Sequence, residues 1–122
     1  MPACVFLEHD MAHDERLAER LRGAIGPLSA LGERRMMGGL CFMLNGNMIG
    51  GVDRTREGAG RFMFRCGKDN AEAQTLPGGE PMVMGGRMMR GFYFVDADAC
   101  ADALLARWIK VALDHVRSLP PK

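Results

Sequence analysis

Apolar and polar residues alternate on both sides of the dipeptide Asn45-Gly46. The segment Leu40 to Leu44 precedes the dipeptide, and Met48 to Val52 follows it. Because Asn-Gly adopts the positive φ angles of a type I′ turn at low steric cost, the pattern predicts a β-hairpin. One face of this hairpin should carry Leu40, Phe42, Leu44 and Ile49, and the other Cys41, Met43 and Met48. We expect the first face to belong to the core.

Three further segments have the composition of strands. Arg61 to Cys66 alternates, with Phe62, Phe64 and Cys66 on one side and Arg61, Met63 and Arg65 on the other. Pro81 to Met84 and Gly91 to Val95 predict two more strands around a glycine-rich connection. The sequence therefore predicts a central antiparallel sheet of about five strands.

Helical periodicity marks three segments outside these strands. Residues 14–25 form the first, and Lys68 to Leu76 is a short second candidate with Asp69 as its capping residue. The strongest pattern runs from Leu104 to Val116, where apolar residues including Trp108 cover about half of the helical circumference. A half-buried helix of this kind packs across a sheet. We therefore predict an α+β fold with N-terminal, middle and C-terminal helices packed on the sheet.

Length and composition indicate one domain. The chain has 122 residues, of which 48% are hydrophobic, so it can bury a core of its own. Residues 1–12 show no periodicity and are expected to form a flexible tail, which leaves 13–122 as a single domain. The longest apolar run, Leu40 to Leu44, is far below the roughly 20 residues that a membrane-spanning helix needs. With no secretory signal at the N-terminus, we expect a cytoplasmic protein without a membrane partner.

The charge distribution argues against a dedicated nucleic-acid binder. The formal net charge is +1, and residues 33–90 carry nine basic and six acidic side chains. This excess is well below the strong positive field of a protein that depends on phosphate contacts. Direct nucleic-acid binding is therefore the less favoured expectation.

Residue types suited to catalysis or metal binding are present but not in a recognisable arrangement. Of the three histidines, His115 lies at the edge of the apolar helix face, where a hydrogen-bonded structural role is favoured. The four cysteines are widely spaced, and we expect reduced, buried thiols. Eleven methionines are soft ligands suited to Cu(I), but their positions on strands favour packing beside phenylalanines. We expect no enzyme activity, no metal and no cofactor.

Two glycine clusters, Gly38-Gly39 and Gly85-Gly86, lie beside arginines. Solvated surface charge is one interpretation, and a shared basic, glycine-lined surface that binds a partner or an anionic ligand is the other. On the second interpretation the candidate binding residues are Arg34, Arg35, Gly38, Gly39, Arg87, Arg90 and Gly91.

Three segments resemble the N-terminal domain of the TfoX/Sxy proteins. They are Arg34 to Met48 (RRMMGGLCFMLNGNM), Gly86 to Val95 (GRMMRGFYFV), and the ending around Trp108 and Ser118 to Lys122 (SLPPK). The resemblance runs from about Asp14 to Lys122. Departures from the family pattern are Met37, where an aromatic residue is usual, and Met88 or Met89, where a proline often lies. Full TfoX regulators also carry a second, helical domain, to which no segment of these 122 residues is similar.

The resemblance implies an α+β domain that takes part in transcriptional regulation of natural competence. It implies action through contact with another protein, such as a transcription regulator, or through self-association, and it supplies no catalytic residues. A small-ligand or nucleic-acid binding domain that uses the basic surface is the alternative.

Overall fold

A six-stranded antiparallel sheet forms the centre of the computed structural model, which describes residues 15–36, 39–55 and 57–122. The strands are β1 (Leu31–Met36), β2 (Gly39–Leu44), β3 (Asn47–Arg54), β4 (Gly60–Arg65), β5 (Gly79–Met84) and β6 (Arg87–Asp96). The described helices are α1, residues 15–25, α2 (Ala71–Thr75) and α3 (Asp102–Arg117). The α+β class is confirmed. The predicted tail, residues 1–12, lies outside the described part of the chain.

The strand order is β1-β2-β3-β4-β6-β5, and every neighbouring pair is antiparallel. Successive hairpins build the first four strands. Helix α2 then carries the chain from β4 to the outer edge, where β5 forms, and β6 returns between β5 and β4. Gly85 and Gly86 have φ angles of 58° and 77°, as a tight two-residue turn requires.

The predicted hairpin around Asn45-Gly46 is confirmed, with φ angles of 53° and 82° at these residues. Its two faces are also as predicted, because Leu40, Phe42, Leu44 and Ile49 contact the main core, whereas Cys41, Met43 and Met48 contact a second cluster. A register shift between Phe42 and Met43 keeps Ile49 on the core side. The chain end joins this turn, since the Lys122 amide donates to the Asn45 carbonyl at 2.8 Å.

The prediction of about five strands missed β1. This edge strand carries charged residues, which protect an exposed sheet edge from pairing with other chains. Glu33 faces the helices and accepts hydrogen bonds from Arg22 of α1, at 2.6 Å from Nε and 2.8 Å from Nη2. The Arg22 guanidinium lowers the pKa of Glu33 below its ordinary value. Strand β1 is thus held by a contact with another element and has no apolar pattern from which it could be predicted.

The predicted cap of the middle helix is also corrected. Asn70, and not Asp69, caps α2: its side chain accepts a hydrogen bond from the Ala73 amide at 3.0 Å. Asp69 instead has a φ of 60°, which places it in the turn before the cap. Asparagine and aspartate are both good caps, so residue type alone did not distinguish the two neighbours.

All three described helices pack on one face of the sheet. Leu17, Leu21 and Ile25 of α1 join the same buried cluster as the apolar side of α3. The guanidinium of Arg20 links α1 to the segment just before α3, since it donates to the carbonyls of Ala97 and Cys100. The main core therefore lies between the helices and this face.

The side chain of Trp108 lies at the centre of that core and is fully buried, as the sequence pattern predicts. Its indole stacks on Phe64 of β4, with ring centroids 5.5 Å apart and planes at 12°, and contacts Tyr93 of β6 at 5.6 Å. The indole N–H donates to the Pro77 carbonyl at 3.2 Å. A Cβ at Gly79 would lie 2.5 Å from the indole, so only glycine leaves enough room for the ring.

Replacing Trp108 with alanine should lower the free energy of unfolding by about 3–5 kcal/mol, because it leaves a cavity in the core and removes the ring contacts with two strands. Urea unfolding followed by circular dichroism measures the change. The matched control is Arg107→Ala on the exposed side of the same helix, for which we expect a change below about 0.5 kcal/mol. A loss below about 1 kcal/mol at Trp108 would contradict its central role.

Candidate functional site

The second face of the sheet, called the open face below, is covered by no helix of the described residues. Its buried members are Cys41, Met63 and Met82, and partly buried side chains surround them: Met43, Met48, Met89, Phe92 and Phe94. Thioethers and phenyl rings thus form a second, smaller apolar cluster. Because methionine is flexible and polarisable, such a surface can adapt to the shape of a bound molecule.

A cavity of about 200 Å³ lies on the open face. Gly39 and Gly51 line it without side chains, because a Cβ at Gly39 would lie 2.3 Å from the Val52 carbonyl oxygen and one at Gly51 2.6 Å from that of Leu40. The other lining residues are Cys41, Val52, Asp53, Arg54, Arg61, Met63, Met82 and Phe94. At both glycines the cavity is therefore lined by backbone alone.

Asp53 and Arg61 form the polar side of the cavity. They are cross-strand partners on β3 and β4, and the guanidinium donates twice to the carboxylate, from Nε at 2.8 Å and from Nη2 at 3.2 Å. The guanidinium carbon also lies 3.6 Å from the centroid of the Phe94 ring. A bidentate ion pair and a cation–π contact together hold Arg61 in one orientation.

The described cysteines do not have the properties of reactive thiols. Burial, and to a smaller extent the charge of Asp53, raises the pKa of Cys41 above its ordinary value. Burial raises the pKa of Cys66 to about 12 and also raises the pKa of Cys100. Since the thiolate is the nucleophile, these side chains stay protonated and unreactive at neutral pH.

The predicted site residues of β1 and β2 lie on different faces. Arg34 pairs with Cys41 and therefore faces the open side, whereas Arg35 pairs with Leu40 and faces the helical side. Both arginine side chains are exposed. Gly39 lines the cavity, and Gly38 lies outside the described residues.

The predicted residues of β6 lie on the other half of the sheet. Arg87 shares the open side with Met89, and Arg90 forms an exposed ion pair with Asp69 at 3.1 Å. Three strands separate β1 from β6, which corresponds to about 19 Å at the usual strand spacing. The two arginine groups are thus not neighbours, and whether one partner binds both stays a prediction.

Gly91 has a clear structural role. Its φ is +86°, and a Cβ there would lie 2.7 Å from the Gly67 carbonyl carbon. The register of β5 against β6 shifts here, between Pro81 and Met82, and the Gly91 carbonyl instead accepts the Cys66 amide at 2.7 Å. Glycine at this position allows the bulge to pack against the chain that leaves β4.

The β5–β6 hairpin carries two exposed apolar side chains. Val83 and Met88 are cross-strand partners with exposed fractions of 53% and 59%, the large hydrophobic residues that stand out as exposed in the described part of the chain. They are adjacent to the exposed Arg87 near the tip of the hairpin. An apolar pair beside an arginine has the composition of the centre of a protein–protein interface.

Sequence reasoning missed the pair Asp53–Arg61 and the role of Gly51. The available signal was that Arg61 alternates with Met63 onto the face opposite the phenylalanines. Asp53, however, lies near the end of β3 in a polar stretch, whose pairing register cannot be read from the sequence. Only the observed register shows that the two charges are opposite each other.

Among the described residues there is neither a metal-binding cluster nor a membrane-spanning helix. No group of three or more histidine, cysteine, aspartate or glutamate side chains is arranged to hold a metal ion. Within the same residues, no helix combines the length and the apolar character needed to cross a membrane.

The fold and the open face define a small α+β domain with helices on one side of an antiparallel sheet and an apolar surface on the other. A family model, the TfoX N-terminal domain, matches residues 24–116. The chain belongs to this family, as the three sequence motifs predicted, and the family is not known as one of enzymes. No curated protein and no solved structure matches the chain.

The structural role of Gly91 predicts that Gly91→Ala lowers the free energy of unfolding by at least about 2 kcal/mol, since it adds a positive-φ penalty to a backbone collision. Thermal and urea unfolding measure the loss. Gly23→Ala is the control, because this helical glycine has open space around its Cβ position. We expect that control to gain about 0.5–1 kcal/mol. Equal behaviour of the two variants would contradict the assignment.

His115 predicts a pH dependence of stability. Burial, and secondarily the charge of Arg65, lowers the pKa of His115 below its ordinary value. The unfolded chain therefore binds more protons around that value, so stability is complete above about pH 6.5 and falls as the pH drops below it. His115→Gln should lose less stability than the unmodified protein between about pH 7.5 and about pH 5.5. Identical losses in urea unfolding would exclude His115 as the cause.

Proposed function

We propose that this protein is a non-enzymatic regulatory domain that acts in transcriptional regulation through contact with another protein. Membership of the TfoX N-terminal domain family supports a regulatory role. The TfoX/Sxy proteins, which the chain resembles, are competence regulators. The observation that carries the proposal is the exposed pair Val83 and Met88 on the β5–β6 hairpin.

The hairpin provides both the apolar and the charged parts of a contact surface. Val83 and Met88 face one side, and Arg87 projects on the other side beside the tip. Within the described residues Arg87 makes no ion pair, whereas Arg90 is partly neutralised by Asp69. Methionine and arginine are enriched in interface centres, so the fitting partner has an apolar pocket bordered by acidic side chains.

Arg34 and Arg35 belong to the proposal as a second contact region. A standard interface buries about 800 Å² on each partner, enough to span the roughly 19 Å between β1 and β6. Arg34 and Arg87 both project from the open side, so a partner that holds both sides of the hairpin tip and extends over the open face can reach both arginines and the apolar pair.

Affinity capture from the native cells, read by mass spectrometry, tests the hairpin. We expect Met88→Ser and Arg87→Glu each to reduce the yield of the main captured protein at least about tenfold, as loss of an interface anchor does. Arg107→Glu, a charge reversal on the exposed side of α3, is the matched control and should leave the yield unchanged. Melting temperatures within a few degrees of the unmodified protein show that the variants fold.

Charge reversal at Arg34 tests the second contact region in the same assay. A reduced yield with Arg34→Glu assigns β1 to the interface, and an unchanged yield removes β1 from it. If the hairpin variants also leave the yield unchanged, the proposed contact is wrong.

Salt dependence separates this function from nucleic-acid binding. An apolar protein contact should keep most of its strength between about 50 and about 200 mM salt, whereas counterion release would weaken binding to DNA steeply over this range. We expect capture to survive both the higher salt and nuclease treatment. Loss of the captured protein after nuclease treatment would favour the nucleic-acid alternative.

A further inference from the structure

We propose that the cavity of the open face binds a small organic acid, made of one ring or a short apolar chain and a single carboxylate. This inference goes beyond the proposed protein contact and does not depend on it. It is carried by three features of the cavity: its volume, the hydrogen-bonding capacity of Arg61, and the side chains of its walls.

The volume limits the size of the ligand. At about 200 Å³, the cavity is larger than the roughly 150 Å³ that accommodates a benzene molecule in a protein core, but below the roughly 300 Å³ where drug-sized pockets begin. A single ring with a short acid group fits between these limits. Two fused or linked rings would exceed them.

The polar side of the cavity favours a carboxylate. The guanidinium group of Arg61 lines the cavity beside the carboxylate of Asp53. Arginine has five N–H donors, and Asp53 accepts from only two nitrogens of Arg61, Nε and Nη2. The Nη1 group of Arg61 makes no hydrogen bond to the described residues, so it can donate to a bound acid.

Arg61 is also prepared for binding by its fixed position. The contact with Phe94 at 3.6 Å and the ion pair with Asp53 hold the guanidinium plane before a ligand arrives. A group that is already ordered loses little conformational entropy when it binds. Only 29% of the Arg61 side chain is exposed, so its hydrogen bonds to an acid are partly shielded from water.

The walls fit an apolar ligand body. Met63 of β4 and Met82 of β5 are buried in the same apolar cluster. Phe94 belongs to this cluster too and lies on β6, the strand between them. Thioether sulfurs make favourable contacts with aromatic rings, and Gly51 lines the cavity without a side chain. The apolar walls of the cavity can thus contact the ring or chain of a small amphipathic acid, while Arg61 binds its carboxylate.

Methyl resonances of the methionines test this proposal directly. Protein labelled with ¹³C at the methionine methyl groups is titrated with phenylacetate, benzoate and hexanoate, and with 2-phenylethanol, the neutral match of phenylacetate. We expect saturable shifts at Met63 and Met82, with no shift at the exposed Met88. Phenylacetate should bind about tenfold more tightly than 2-phenylethanol, because a charged hydrogen bond is lost in the alcohol.

Two variants give opposite expected effects. Arg61→Gln should weaken phenylacetate binding about tenfold or more. Asp53→Asn should strengthen it, because the asparagine oxygen still accepts a hydrogen bond from Arg61 but no longer repels the bound carboxylate. Arg107→Gln on α3 is the control and should leave the affinity unchanged. Melting temperatures show whether each variant folds, and a variant that fails to fold leaves the titration of the unmodified protein decisive.

Three results would overturn the proposal. They are the absence of saturable shifts with every acid at millimolar concentration, equal affinities for phenylacetate and 2-phenylethanol, and shifts at Met88 as large as those at Met63. None of these results bears on the β5–β6 hairpin, so failure here is distinguishable from failure of the proposed protein contact.

Discussion

The indole of Trp108 lies where three strands and the longest helix meet. It stacks on Phe64 of β4, contacts Tyr93 of β6, occupies the space above Gly79 of β5, and donates to the Pro77 carbonyl before β5. These contacts hold β5 and β6 against the four strands that precede them in the chain. Because β5 and β6 are added in reverse spatial order, one rigid group in contact with all three strands stabilises that arrangement. The remaining features of the molecule depend on it.

Because the described helices all lie on one face of the sheet, the two faces differ in composition. The core between helices and sheet contains the large aromatic residues, whereas the open face contains methionine, cysteine and phenylalanine around a bidentate ion pair. A polar pair of this kind contributes little to stability when it is partly exposed. The position of the ion pair is more informative, since both Asp53 and Arg61 line the cavity of the open face. The main core and the cavity thus lie on opposite faces of the same sheet.

Sequence pattern and structure agree where local geometry decides the outcome. The two faces of the β2–β3 hairpin, the inward side of Phe62 and Phe64, and the burial of Trp108 follow from alternation and helical periodicity. Agreement ends where the deciding partner is distant in sequence. Strand β1 has charged residues at its centre, and its Glu33 is held by Arg22 of α1, a contact that no pattern within β1 can reveal. The cap at Asn70 was missed for a smaller reason, since two neighbouring residues are both good caps.

By itself, the sequence determined the family, the α+β class, the three helices and the side of each central strand that is buried. These properties depend on neighbouring residues, because side chains alternate every two positions in a strand and repeat every 3.6 in a helix. Only the tertiary structure decided that Arg34 and Arg35 face opposite sides of the sheet, that three strands separate them from Arg87 and Arg90, and that Asp53 meets Arg61 beside a cavity. Those outcomes depend on strand order and pairing register. Both are set by packing between segments distant in the chain, such as Trp108 on Phe64.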